Sequence, residues 1–118
     1  MSDTAEPARA YDSFDAFFPH YLREHADPRT RHLHYAGTAL VIGIWIAALL
    51  SLNVWLLLLT PLAGYGFAWA AHAFVERNRP ATFTYPWWSL LSDFKMFGLW
   101  ITGRLDAHLR AAGVSADA

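Results

Sequence analysis

The chain has 118 residues, room for one domain, and carries 9 basic against 10 acidic residues, without the basic surplus usual for nucleic-acid binding. It contains no cysteine, which excludes a disulfide scaffold, a thiolate metal site and a cysteine nucleophile together. Hydrophobic residues make up 55% of the chain and aromatics 16%, and their distribution is uneven: the 43 residues from Leu33 to Val75 include no Asp, Glu, Lys or Arg. These proportions point to a membrane protein.

In chain order, residues 1–12 read as a disordered N-terminus, small and polar. A single helical membrane domain is expected over 13–105. From Ser13, the apolar residues Phe14, Phe17, Phe18, Tyr21 and Leu22 have the spacing of an amphipathic helix. Pro19 interrupts it, so a broken or late-starting helix on the membrane surface is expected. Asp27-Pro28 then reads as an N-cap followed by proline at the first helical position.

A membrane span needs about 20 apolar residues, so the charge-free run has the length of two spans and a turn. As one straight helix it would reach about 65 Å, too long for one bilayer. Ser51-Leu52-Asn53 is the natural break, dividing the run into spans at about 35–52 and 54–75. Arg9, Arg23, Arg29 and Arg31 precede the hairpin, and Arg77, Arg79, Lys95, Arg104 and Arg110 follow it. The positive-inside rule puts both termini in the cytoplasm. The membrane is then a bacterial inner membrane, or the endoplasmic reticulum in a eukaryote.

Pro86 opens a third helix, about 86–104, with Trp87, Leu90, Leu91, Phe94, Phe97 and Ile101 on its apolar side. Asp93 and Lys95 favour an interfacial or partly re-entrant position over a full span. Residues 106–118 read as a frayed tail. The fold class is thus all-α: a membrane-embedded helical hairpin of two transmembrane helices with flanking amphipathic or interfacial helices. Two spans bury few faces, which is compatible with a homodimer.

The hairpin makes distant histidines neighbours. His34 stands at the cytoplasmic end of the first span and His72 at the same end of the second, and His25 can fold back over both. Gly64, Ala68, His72 and Glu76 share one helical stripe, small in its upper half and polar below. Span one offers Gly37 and Thr38 beside His34. Spacing alone leaves two readings open: interfacial, hydrogen-bonded histidines, or a metal site in His25, His34 and His72. Ionisable groups at membrane depth favour function. Imidazoles and carboxylates without thiolates suit Fe(II), Zn(II) or Mn(II). Glu76 could be a ligand or orient His72. Asp93 could be a ligand, a base or a solvated charge. Arg31 and Arg79 could pair with a substrate carboxylate or serve as membrane anchors.

Four segments carry a resemblance: Tyr21-Leu22-Arg23-Glu24-His25; Arg31-His32-Leu33-His34; His72-Ala73-Phe74-Val75-Glu76-Arg77-Asn78-Arg79-Pro80-Ala81; and Trp88-Ser89-Leu90-Leu91-Ser92-Asp93. Together, over about residues 14–105, they resemble the Mpo-type family, whose fungal member is a 2-hydroxy fatty acid dioxygenase. The chain is similar to its short bacterial branch. The resemblance implies an Fe(II)-dependent oxygenase of fatty acid α-oxidation, taking a 2-hydroxy fatty acid and O2 in the lipid bilayer. It maps the family's essential histidines to His25, His34 and His72. Glu76 and Asp93 are the catalytic candidates beside them, and Arg31 and Arg79 the partners for the substrate carboxylate. A lipid hydroxylase or zinc hydrolase is one alternative. A non-catalytic metal- or haem-binding membrane module, or a small scaffold protein, is the other.

Overall fold

Helix α1 (Phe14–Arg23) starts at Ser13, whose Oγ accepts the Ala16 N–H at 3.1 Å. Satisfying one of the orphan donors of the first turn is what an N-cap serine does. Pro19 lies inside the helix without ending it. The buried residues Phe17, Phe18, Tyr21 and Leu22 form one face. The coordinates are a computed structural model and describe residues 11–79 and 84–115. Residues 1–10, Pro80, Ala81 and 116–118 of the sequence reading lie outside them.

Helix α2 (Pro28–Ser51) begins as the Asp27-Pro28 pair predicts, with Asp27 Oδ1 accepting the Arg29 N–H at 2.8 Å. It ends where Leu52 turns left-handed, at φ 56°, and Asn53 Oδ1 accepts the Trp55 N–H at 3.1 Å. The returning arm is built in three pieces: a 3-10 stretch (Val54–Leu59), helix α3 (Thr60–Ala71) and a π turn (His72–Glu76). Pro61 falls at the start of α3, where its missing N–H costs nothing.

The two arms meet closely at Gly37. A Cβ there would stand 3.1 Å from both the Ala63 carbonyl oxygen and Phe67 Cβ. A side chain there would push the facing arm back by a few tenths of an ångström, so glycine permits the close approach. Pro28–Ser51 and Val54–Glu76 are each long and apolar enough to cross a membrane. Much of their apolar surface faces outward: Leu50, Trp55, Leu58 and Leu62 are all at least 70% exposed.

Helix α4 (Pro86–Ile101) crosses α2, stacking Phe94 on Trp45 and Trp100 on Tyr35. Its protein-facing side is Ser89, Ser92 and Met96. The first part of the expected frayed tail, residues 106–111, is instead helical. Helix α5 (Leu105–Ala111) packs on α1 and α4. Leu105, Leu109, Ala112 and Val114 join Phe17, Phe18, Tyr21, Leu22 and Met96 in one core. Consequently the apolar face of α1, expected to lie on the membrane surface, is covered by protein. The packed unit runs past residue 105.

Candidate metal centre

Three histidines converge where the α1–α2 corner meets the polar end of the hairpin. His25 comes from the corner, His34 from the second turn of α2 and His72 from the first residue of the π turn. All three are buried, and their ligand atoms lie within 4.8 Å of one another. The Nε2 of His25 is 3.1 Å from the Nε2 of His34 and 3.1 Å from that of His72.

The opposite ring nitrogens decide the protonation of this group. His25 Nδ1 faces the Tyr21 carbonyl oxygen at 2.6 Å, an acceptor alone, so Nδ1 carries the proton and donates it. His72 Nδ1 faces Asn78 Oδ1 at 2.6 Å. The Asn78 amide is fixed the other way round by two acceptors: its Nδ2 donates to the Glu24 carbonyl at 3.2 Å and to Glu24 Oε1 at 3.1 Å. His34 Nδ1 donates to Asp93 Oδ1 at 3.3 Å. With Nδ1 committed as the donor, Nε2 is the atom each ring turns toward the other two, and it offers a lone pair when the ring is neutral. Lone pairs 3.1 Å apart repel, and a cation between them would relieve that repulsion.

The donor set fits a transition-metal ion. Two nitrogens each about 2.1 Å from one ion, at roughly tetrahedral or octahedral angles, stand about 3.0–3.4 Å apart, and the two Nε2 separations of 3.1 Å fall in that interval. Burial, and after it the neighbouring imidazoles, holds the His25 pKa well below the ordinary histidine value. The ring thus stays neutral and keeps its lone pair at physiological pH.

The surroundings hold these rings in place. Tyr21 stacks on His25, with centroids 4.0 Å apart, and its hydroxyl donates to Asp93. Burial, reinforced by the Asp93 charge, raises the Tyr21 pKa well above 10.0 and keeps that hydroxyl a donor. Asp93 thereby links α1, α2 and α4, with 27% of its side chain still exposed.

Not every residue singled out in the sequence stands in the expected place. Glu76 does not orient His72; its Oε2 accepts the Asp27 N–H at 2.6 Å and ties the π turn to the start of α2. Arg31 is 4% exposed, and its Nη1 donates to the His25 and Ala26 carbonyls, both at 2.9 Å. It thus fastens the corner that carries His25. Arg79 is exposed, beyond the π turn.

Asn78 is the residue whose role sequence reasoning missed. Six residues after His72 is not a helical-face spacing. The contact exists because Arg77 turns left-handed, at φ 59°, and the Asn78 N–H bonds back to the His72 carbonyl at 3.0 Å. π turns are frequent at functional sites, and here one presents a candidate ligand and its hydrogen-bond partner together. The Asn-Arg-Pro motif marked the segment without revealing this geometry.

A groove of about 310 Å³ leads away from His34 and Asp93 between α2, α3 and α4. That is within the range of small-molecule sites. A larger hollow of about 650 Å³ lies between the arms along Leu33, Leu40, Leu62 and Phe67, and none of the three histidines lines it.

Against known proteins, the family model described as 2-hydroxy-palmitic acid dioxygenase Mpo1-like matches residues 11–105. The chain belongs to the Mpo1-like family. The matched stretch holds all three histidines, Tyr21, Asn78 and Asp93. No curated protein and no solved structure matches the chain. The family's description names a dioxygenase, and this Mpo1-like chain has a histidine triad compatible with a metal.

Proposed function

We propose that this chain is an Fe(II)-dependent dioxygenase that converts a 2-hydroxy fatty acid and O2 to the fatty acid one carbon shorter, CO2 and water. The equation balances without added reductant, since the substrate supplies all four electrons. The observation that carries the reading is the convergence of three Nε2 atoms, each turned inward by a committed Nδ1 donor.

His25, His34 and His72 would hold the metal. Imidazole donors suit iron, zinc, copper and nickel alike, and the dioxygenase description favours a redox-active one. Iron there would supply the electron transfer to O2 that no amino-acid side chain offers. The chain's own residues do the rest. Asn78 and the Tyr21 carbonyl hold two of the rings in their tautomers. Asp93, at the histidine end of the groove, would hold His34 and take the substrate's hydroxyl proton, with Tyr21 supporting its carboxylate. Arg79 is the candidate for the substrate carboxylate, while Arg31 and Glu76 act as positioning residues for the corner and the turn. The hairpin would lie in the bilayer, in a bacterial inner membrane or the endoplasmic reticulum, with both termini cytoplasmic. An amphiphilic acid would then meet the site at the lipid boundary.

The test is O2 uptake by detergent-purified, Fe(II)-loaded protein given 2-hydroxypalmitate, with product chain length read by mass spectrometry. A one-carbon-shorter acid made by the wild type and not by His72→Ala supports the reading. Folded, iron-loaded protein that consumes no O2 with any 2-hydroxy acid refutes it, and a non-catalytic metal-binding module then leads.

A further inference from the structure

The groove beside the histidines has a graded shape. On α2 it is lined by His34, Thr38, Val41 and Trp45, a single stripe that rises from the metal centre toward the hairpin turn. Opposite Val41 stands Gly64, where an added Cβ would come 3.5 Å from Val41 Cγ2, so side-chain bulk at either position narrows the passage. The far end is barred. Trp45 Nε1 donates to Thr60 Oγ1 at 3.0 Å, and the indole stacks on Phe94 with centroids 5.8 Å apart. One side chain of α2 is thereby fastened to both other walls.

We propose that this groove holds the acyl chain of the substrate and that Trp45 sets its length. The proposal rests on the dioxygenase reading for the head group, which would sit at His34 and Asp93, the two polar groups at the inner end. Trp45 lies eleven residues beyond His34 on α2, about 16 Å along the axis. A fully extended chain advances about 1.2 Å per bond, judged from a three-bond backbone residue spanning about 3.3–3.6 Å. The indole leans back toward His34 and stacks on Phe94, the residue after Asp93, so the groove is shorter than this axial rise and takes fewer than about 13 bonds before Trp45. A longer tail must pass the indole. Nothing ionisable lines the groove between His34 and Trp45 along α2, as an alkyl chain requires.

Two readouts test this, one of them independent of turnover. In the first, 2-hydroxypalmitate analogues with a photoreactive diazirine at mid-chain or at the terminal carbon are irradiated with the wild-type protein in lipid nanodiscs, and adducts are mapped by mass spectrometry. Mid-chain adducts near Val41 and Gly64, terminal adducts near Trp45, Thr60 and Phe94, and their loss under excess unlabelled acid are the expected result. Adducts on the outward residues Leu50, Leu58 and Leu62, whatever the label position, would overturn the proposal.

In the second readout, kcat/KM is measured across chain lengths. Trp45→Ala moves the optimum to longer acids and Val41→Phe to shorter ones, each methylene refused costing roughly tenfold or more. Leu50→Ala, on the outer surface, leaves the profile in place. Unchanged profiles in an active enzyme sink the groove proposal and spare the dioxygenase. Ordered adducts in a protein that consumes no 2-hydroxy acid do the reverse.

Discussion

The two ends of the molecule solve the burial of apolar side chains differently. At the turn end of the hairpin, Leu50 is 79% and Leu52 84% exposed; in the cap formed by α1, α4 and α5, Phe17 and Met96 are fully covered. Large apolar residues on a continuous outer face are tolerable where the surrounding solvent is lipid, and a water-facing patch of that extent would drive association. The cap is packed like an ordinary protein core. The histidines lie at the junction, with His25 anchored by the cap corner and His34 and His72 carried by the hairpin. A site built this way needs both regions intact, and either can be perturbed separately.

The largest expected effect comes from cutting the junction itself. His72→Ala removes the returning arm's ligand, and metal retention and activity are both lost, as read by elemental mass spectrometry and O2 uptake. His25→Ala should do the same from the cap side.

The next effect separates the regions. Phe17→Ala opens a cavity in the cap core and should cost about 3–5 kcal/mol. Leu58→Ala, on a residue 70% exposed, should change unfolding in detergent little. Equal losses in a chemical-denaturation series would break the comparison.

Asn78→Ala leaves both regions packed but frees the His72 ring. Loss of such an outer partner typically weakens metal affinity about 10–100-fold, which competition with a chelator would measure. Asn78→Asp, which keeps an acceptor at the position, should recover part of that loss.

The smallest effect is at the start of α2. Hydrogen bonds from Arg29 hold the Asp27 pKa at about 2, against 3.8 for a free carboxyl. Because the folded value is depressed, the stabilisation is present above about pH 3.8 and disappears as pH falls through about 2. The difference in thermal midpoint between wild type and Asp27→Ala should shrink over that window. A difference that persists to lower pH would point to a contribution other than this ionisation.

The hairpin was legible because a charge-free run of 43 residues has one economical arrangement, and antiparallel return then pairs His34 with His72. The α1 face was legible too, though not what covers it. Its cover is α5, seven residues with Leu105 and Leu109 as the buried pair, too short a pattern to stand out from a polar tail. Arg31 read as a cation awaiting an anion because its position one turn before His34 says nothing of the carbonyls at the α1–α2 corner. Glu76 shares a helical stripe with His72 on an ideal helix. The π turn rotates that register, so Asn78 meets the ring and Glu76 meets the Asp27 N–H.

The central claim, that cap and hairpin join to hold one metal ion, is tested most directly by metal content. Wild-type protein and the His25→Ala, His34→Ala and His72→Ala variants would be reconstituted anaerobically with Fe(II), desalted and analysed in parallel by elemental mass spectrometry. The account predicts stoichiometric iron in the wild type and little in each folded variant. Wild-type protein that retains no iron, or variants that retain as much as wild type, would contradict it.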